Sequence, residues 1–421
     1  MVKEYIKKID RPIYLLCLVA FFPILKIQYN SYTIIILSIF TFFFAVRSKK
    51  NRQSFKRRIN QNLKPFFIST LVIYPLIFSL TYSSDVGQGV KSLEQIASLI
   101  VFPFIIFFLI KKISHTELKL ILRVFVFVCF LLVVYIEYNF YSLGLFNITK
   151  DVKFYRLPFR EAIMNLKYES LHPTYVSLWF SFSIIILLYF VSLKSTRAKY
   201  KNLKNLLCII CILVFSVVII QLSSRIGIIT LFITVIFYLI TLKNKIMQVL
   251  LISVFCILSF FTVKNISYIS SRFISEFEET KLAPPVGKAH NSINIRVGIY
   301  SCSTIIIKNN PILGVGIGDV QKELNKCYKR FDTDVYANNL YNTHNYYFNI
   351  LIASGILGLT LFLIMFYFYF KVAIKNKSYI YVCFLAIFVI AMLFENIISR
   401  NHGVIFFSLF NTIFIRYFHL K

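Results

Sequence analysis

The chain consists largely of apolar runs long enough to cross a lipid bilayer, and this feature restricts its fold more than any other. Hydrophobic residues make up 58% of its 421 residues, and a transmembrane helix needs about 20 predominantly apolar residues in succession. The predicted spans are 12–29, 30–46, 65–82, 93–110, 120–142, 173–193, 205–222, 226–242, 246–263, 345–370, 378–397 and 403–418. The second and the last are short, so eleven spans instead of twelve is an alternative. The sequence therefore predicts an all-α polytopic membrane protein with about twelve transmembrane helices.

The distribution of basic residues predicts how these spans are oriented. Alternating loops at 47–64, 111–123, 194–204, 243–245 and 371–377, together with both termini, carry most of the Lys and Arg residues but few of the acidic ones. Cytoplasmic loops of membrane proteins are enriched in Lys and Arg. We therefore expect both termini in the cytoplasm. The net charge of +30 follows from this bias, so we do not expect nucleic acid as a partner.

This orientation divides the chain into membrane and external segments. The expected segments are N-terminal transmembrane helices at 1–143, a first external loop at 144–172, central transmembrane helices at 173–263, a large external helical loop at 264–344 and C-terminal transmembrane helices at 345–421. The first span follows Lys7, Lys8 and Arg11 and contains no small-residue cleavage site, so we expect no cleavable signal peptide. The external loops are too short for conventional domains with their own cores, and short helices packed on the bundle are expected instead.

Two cysteines, Cys302 and Cys327, fall in the large external loop. The other six lie in apolar spans, where cysteine usually behaves as a small core residue. In an oxidising compartment the external pair could form a disulfide, but sequence alone does not establish the distance between them.

The ionisable residues of the spans lie near their predicted outer ends. These residues are Glu94, Glu137, Arg225, Glu395 and Arg400. A transporter coupled to protons or ions normally carries such groups near the middle of the bilayer. Their position favours an enzyme acting at the outer surface. A transporter or flippase for lipid-linked sugars is the alternative from a different functional class.

The polar segment from Arg296 to the beginning of the predicted span at 345 contains the main candidate functional residues. It contains the glycine-rich segment 310–319 and then His344. Although 314–319 is similar to a dinucleotide-binding turn, no strand precedes it, so we expect a tight turn between loop helices. Asp332 and Asp334 resemble a metal-binding pair but lack metal-ligand spacing with the histidines, so no metal site is expected.

The order of these motifs resembles the O-antigen ligase family, whose shared region also occurs in O-antigen polymerases and related bacterial glycan transferases. The matching residues are 223–225 (Ser-Ser-Arg), Arg296, 310–319, His344 with Asn345, 351–359 and 395–403. The resemblance extends over roughly 170–410. It implies an all-helical membrane fold with a large periplasmic loop, in the inner membrane of a bacterium, and a reaction that requires neither a cofactor nor a metal.

The resemblance further implies transfer of a glycan from an undecaprenyl-diphosphate carrier to a hydroxyl of lipid A-core oligosaccharide or another glycan acceptor. His344 would accept the proton of that hydroxyl. Arg225 and Arg296 would bind the diphosphate, because arginine forks match phosphate oxygens and stay charged. Direct attack would invert the anomeric carbon. A polymerase using the same donor is the close alternative, since it differs only in the acceptor.

Five further residues are candidates for substrate binding. Membrane lipids are also expected as partners, in contact with the spans. The five residues are His172, Arg156, Arg160, Asn345 and Arg400. His172 precedes Pro173 at the start of a span, so it could instead be an ordinary interfacial residue. Arg400 could instead pair with Glu395.

Overall fold

The protein is helical over the part of the chain that its computed structural model describes. That part comprises residues 11–144, 159–193 without 161, 165 and 167–169, 201–241, 248, 253, 282–287, 291–337 and 340–419. The helices are α1 (Arg11–Val19), α2 (Ile27–Val46), α3 (Lys49–Ser69), α4 (Ile73–Ser79), α5 (Val86–Ile96), α6 (Ser98–Phe104), which continues as a π-helix (Ile105–Leu109), α7 (His115–Ser142), α8 (Pro173–Ser192), α9 (Lys201–Leu222), α10 (Arg225–Ile240), α11 (Ser292–Asn309), α12 (Val320–Tyr328), α13 (Tyr346–Lys375), α14 (Tyr379–Met392) and α15 (Asn401–Phe418). The prediction of an all-α membrane protein is confirmed for these residues.

The described part of the chain contains fewer candidate membrane spans than the sequence predicts for the whole chain. Among the described residues, five helices are long and apolar enough to cross a bilayer, namely α2, α7, α8, α9 and α13. The number rises to seven if two bent pairs each count as one span: α3 with α4, bent by 63°, and α5 with α6, bent by 41°. The prediction of about twelve spans is therefore not confirmed, and apart from positions 248 and 253 the predicted span at 246–263 lies outside the described residues.

Several predicted spans fall short because the helix ends before the apolar run does. Helix α1 has 9 residues, which corresponds to about 14 Å at 1.5 Å per residue, less than half of the roughly 30 Å hydrocarbon core. Helices α10 and α14 have 16 and 14 residues. A hydropathy window measures how readily a segment transfers into lipid and does not detect where its helix stops.

Helix α8 lies in the core of the bundle and positions His172 at its start. Most of its residues are buried, including Trp179 and Phe182 with no exposed surface, as expected for a helix that is apolar on every face. The Nδ1 atom of His172 accepts a hydrogen bond from the backbone N–H of Thr174 at 3.3 Å. Pro173 occupies the first helical position, where its missing N–H is not needed. His172 is therefore the N-terminal cap of α8.

Helix α10 begins beside the start of α8. The hydroxyl of Ser224 accepts from the N–H of Gly227 at 3.2 Å and donates to the hydroxyl of Thr174 at 3.3 Å. A side chain at Gly227 would overlap Ser177 of α8, so glycine permits the two helices to approach this closely. Arg225, the first residue of α10, is thereby placed near His172.

The two helices of the large loop are covalently joined. A disulfide links Cys302 of α11 to Cys327 of α12, with Cα atoms 5.7 Å apart. Both helices contribute to a small apolar cluster that includes Ile299, Leu324 and Tyr328. The pairing that sequence left undecided is thus present in the structure.

The glycine-rich segment 310–319 connects these two helices and packs against a break in α13. Gly355 has φ of +61°, a conformation that glycine adopts readily. The backbone carbonyl of Ile352, freed by the break, accepts a hydrogen bond from the N–H of Val315 at 2.8 Å. The segment is therefore a structural turn, and it holds the first part of α13, which follows His344.

Candidate functional site

A cavity of about 410 Å³ lies where the starts of α8, α10 and α11 meet the segments before α13 and after α14. We call it the arginine cavity. It is lined by Arg160, His172, Thr174, Ser224, Arg225, Ile226, Asn291, Ser292, Ile295, Arg296, Tyr341, His344 and Glu395. The structure therefore brings together the three predicted catalytic residues and two of the predicted substrate-binding residues, although more than 180 positions separate the first from the last along the chain.

The backbone of His344 is held in an uncommon conformation. Its φ of +42° lies in the left-handed region, which few residues other than glycine adopt. Its N–H donates to Oδ1 of Asn342 at 2.9 Å, and its carbonyl accepts from the hydroxyl of Tyr300 at 3.3 Å. The preceding Thr343 is fully buried and donates to Oδ1 of Asn396 at 3.0 Å. Such backbone conformations cost on the order of 1–3 kcal/mol and persist where surrounding contacts enforce them, often at functional sites.

Glu395 connects the imidazole of His344 to the guanidinium of Arg296. Nδ1 of His344 lies 3.1 Å from both carboxylate oxygens, and Nη2 of Arg296 donates to Oε1 at 3.1 Å. An ionised carboxylate can only accept, so the ring carries its proton on Nδ1. In the neutral ring, Nε2 is then left with a lone pair.

The environment of Glu395 keeps its carboxylate charged. Burial raises its pKa, but the hydrogen bond and charge of His344, followed by the charge of Arg296, outweigh that effect, so the pKa lies below the ordinary glutamate value. The side chain of Glu395 is 16% exposed, whereas that of Arg296 is 30% exposed. Arg296 therefore retains donors that face the cavity, since a guanidinium has five N–H groups.

The cavity lining is net positive near neutral pH. Burial lowers the pKa of His172 to about 4; Glu395 opposes this shift, while Arg160 and Arg400 add to it. His172 is therefore neutral at physiological pH. The arginines at 160, 225 and 296 outnumber the single carboxylate of the lining, which favours an anionic ligand with several oxygens, such as a diphosphate.

Two other predicted site residues, Arg400 and Asn345, do not line the arginine cavity. Arg400 lines a neighbouring cavity of about 480 Å³. The side chain of Asn345 caps α13 by accepting from the N–H of Phe348 at 3.1 Å, and Asn345 is not among the residues that line the arginine cavity. Arg156 lies outside the described residues. A role in substrate binding stays a prediction for all three.

Glu395 is the part of the site that sequence reasoning missed. From sequence, Glu395 lies at the end of a span, belongs to the matching segment 395–403 and is a possible partner for Arg400, but it is not among the candidate site residues. Among the described residues its ion-pair partners are Arg296 and His344, which are 99 and 51 positions away. The available signal was an acidic residue at the outer end of an apolar run. That signal does not specify which of several basic residues the carboxylate faces.

The acidic residue Asp319 of the large loop has a structural contact. The carboxylate of Asp319 accepts from the backbone N–H and the hydroxyl of Ser84, each at 2.5 Å, and so ties the glycine-rich turn to the segment before α5. Among the described residues, no cluster of three or more His, Cys, Asp or Glu side chains could hold a metal.

Comparison with known proteins gives a family match over the middle of the chain. Residues 209–363 match the family model described as O-antigen ligase. This region contains Arg225, Arg296 and His344, whereas His172 and Glu395 lie outside it. No curated protein matches the chain significantly.

Proposed function

We propose that the protein transfers a glycan from an undecaprenyl-diphosphate carrier to an acceptor hydroxyl, because residues 209–363 match the family model described as O-antigen ligase. The reaction takes place at the outer face of a bacterial inner membrane, with lipid A-core oligosaccharide as the acceptor. The family match supports glycan transfer of the ligase or polymerase type. The observation that carries the more specific proposal is the His344–Glu395–Arg296 group in a cavity lined by two further arginines.

His344 acts as the general base. The bond from Nδ1 to Glu395 leaves Nε2 as the proton acceptor and stabilises the imidazolium that forms after proton transfer. Glu395 is a positioning residue, since its carboxylate acts through the imidazole and the guanidinium. The constrained backbone of His344 supports this role, because it holds the ring in one place before the substrates bind.

Arg225 and Arg296 bind the diphosphate, and Arg160 adds positive charge to the same cavity. Guanidinium groups neutralise the negative charge that accumulates on a leaving phosphate oxygen as the sugar–oxygen bond lengthens. The leaving group is the carrier diphosphate, and in this proposal the guanidinium groups supply the charge neutralisation that a metal ion would otherwise provide.

The bonds and protons balance in a single displacement. The acceptor oxygen forms a bond to the anomeric carbon as its proton passes to Nε2 of His344. The bond between the anomeric carbon and the diphosphate oxygen breaks, and its electron pair remains on that oxygen. Attack opposite to the leaving group inverts the anomeric configuration.

The test is transfer from an undecaprenyl-diphosphate oligosaccharide to lipid A-core oligosaccharide by purified protein. We expect His344→Asn to lower kcat at least about 100-fold, because a general base typically contributes 10²–10⁴-fold. Asparagine tolerates the left-handed backbone of this position, so a loss of activity is not explained by backbone strain. His419→Ala, at the end of α15, is the matched control and should retain activity. Near-normal transfer by His344→Asn would contradict the mechanism.

Two additional arms address the metal and the acceptor. Transfer by the wild type should survive a chelator, and its loss would contradict the metal-free reaction. Arg296→Lys should lower transfer strongly, because lysine keeps the charge but not the planar fork. If the product forms only when a second carrier-linked oligosaccharide replaces lipid A-core, the enzyme is a polymerase and the ligase assignment is wrong.

A further inference from the structure

The second cavity, of about 480 Å³, has a different chemistry from the arginine cavity. Many of its polar lining residues carry side-chain amides: Gln88, Gln95, Gln321, Asn342, Asn349 and Asn396 among them. We call it the amide cavity. A side-chain amide offers both hydrogen-bond donors and acceptors, as does a sugar hydroxyl. The lining therefore suits a polyhydroxylated ligand, and the single arginine among its residues, Arg400, makes it less suited to a diphosphate.

Several of these amides are available to a ligand. Within the described part of the chain, the side-chain amides of Gln88, Gln95 and Asn349 hydrogen-bond to no other residue. Gln88 and Gln95 are also exposed. Both lie on the side of α5 that faces the cavity. A bound saccharide would therefore replace water as the hydrogen-bond partner of these amides, without breaking hydrogen bonds inside the protein.

The amide cavity adjoins the proposed general base. Asn342, which lines it, accepts the backbone N–H of His344 at 2.9 Å. Asn396 also lines it, follows Glu395 in sequence and accepts from Thr343 at 3.0 Å. A saccharide in this cavity would thus lie directly beside the segment that carries the imidazole.

An apolar groove lies on the same two elements as part of the amide cavity. The groove has a volume of about 400 Å³ and is lined by Ser38, Ile39, Phe42, Ile100, Val101, Phe104, Ile105 and Leu109. Helix α2 contributes Ile27 to the amide cavity and Ile39 to the groove, roughly 18 Å apart at 1.5 Å per residue. The α5–α6 pair likewise passes from Gln88 at the cavity to Leu109 at the groove. A polar pocket and an apolar groove on the same two elements match a ligand with a sugar head and a hydrocarbon chain.

We propose that the amide cavity and this groove bind the acceptor as a glycan on a lipid anchor, with its sugars among the amides and a hydrocarbon chain in the groove. This assignment rests on the proposed function. The carrier diphosphate occupies the arginine cavity, where the guanidinium groups converge, so the amide cavity is left for the second substrate. The acceptor hydroxyl then reaches the anomeric carbon from the far side of the 342–344 segment.

The first test removes two amides from the cavity. We expect the double variant Gln88→Ala, Gln95→Ala to raise KM for lipid A-core about tenfold, equivalent to about 1.4 kcal/mol, without changing KM for the carrier-linked donor. The kcat at saturating acceptor should also be unchanged. The matched control is Gln53→Ala, Gln61→Ala, which removes two exposed glutamines from α3 and should leave both KM values as in the wild type.

The second test fills the groove. Ile39→Trp should raise KM for intact lipid A-core several-fold but leave KM for its delipidated oligosaccharide unchanged. Phe40→Trp, at an exposed position of α2 that does not line the groove, should affect neither. Absence of transfer by the wild type would refute the proposed function itself. Wild-type transfer with an unchanged acceptor KM in both variants, or a raised donor KM, would overturn this inference alone.

Discussion

Replacing Glu395 with glutamine tests whether the carboxylate positions His344 for proton transfer. Glutamine has nearly the same shape but no charge, and its NH₂ group can donate to Nδ1 of His344. That bond would move the ring proton to Nε2, which could then no longer accept the acceptor's proton. The carboxylate of Glu395 lies 3.1 Å from Nδ1 of His344 and 3.1 Å from Nη2 of Arg296. The substitution therefore weakens two charge-assisted contacts at once.

The expected magnitude follows from those contacts. A hydrogen bond to a charged group contributes about 1.5–3 kcal/mol, against about 0.5–1.5 kcal/mol for a neutral one. Replacing a charged partner by a neutral one at both contacts weakens the stabilisation of the imidazolium by about 3 kcal/mol. This loss corresponds to a decrease on the order of 100-fold in kcat. KM for the donor should change much less, because Arg225 and Arg160 are untouched.

The assay is the same transfer reaction, with kcat and both KM values measured for wild type and Glu395→Gln. The control is Glu323→Gln on α12, whose carboxylate lies 4.0 Å from the exposed Lys326. Surface pairs of that kind contribute about 0–1 kcal/mol, so the control should keep wild-type kcat. A Glu395→Gln kcat within about threefold of wild type would refute the positioning role, as would a defect confined to donor KM.

Three further predictions concern stability. His172→Asn keeps an oxygen that can cap α8 but removes the imidazole. Because the pKa of His172 is lowered to about 4 from 6.5, the stability that the neutral imidazole contributes to the wild type is complete above pH 6.5 and is lost toward pH 4. Thermal unfolding should therefore depend less on pH in that range for the variant, and equal dependence would contradict the lowered pKa. Joint replacement of Cys302 and Cys327 by serine should reduce stability by about 3 kcal/mol, because the bridge closes a loop with a separation of 25 residues; thiol labelling before reduction would instead indicate that no bridge forms. Gly355→Ala should lower stability by more than about 1 kcal/mol, since the added side chain would overlap a loop carbonyl. The control is Gly144→Ala, which is also at positive φ but has nothing within 4 Å of the added side chain. Equal effects of the two substitutions would show that the overlap is unimportant.

The sequence by itself was sufficient for the helical membrane class and for selecting the three candidate catalytic residues. Apolar runs predict helices directly, because in lipid the backbone must satisfy its own hydrogen bonds. Arg225, Arg296 and His344 each follow from a local motif and from its position relative to a run. They could be selected without knowing the distances between them, and the structure places them in one cavity.

Tertiary structure decided the features that depend on where helices end and which of them are neighbours. The end of α1 at Val19 and the break at Gly355 arise from turns and from the packing of the 310–319 segment, which hydropathy does not register. The partner of Glu395 was decided by α14 ending next to the segment before α13. A carboxylate at the end of a helix interacts with whichever cation the fold brings within about 3–4 Å. Packing alone determines that the groups in contact with Glu395 are Arg296 and His344.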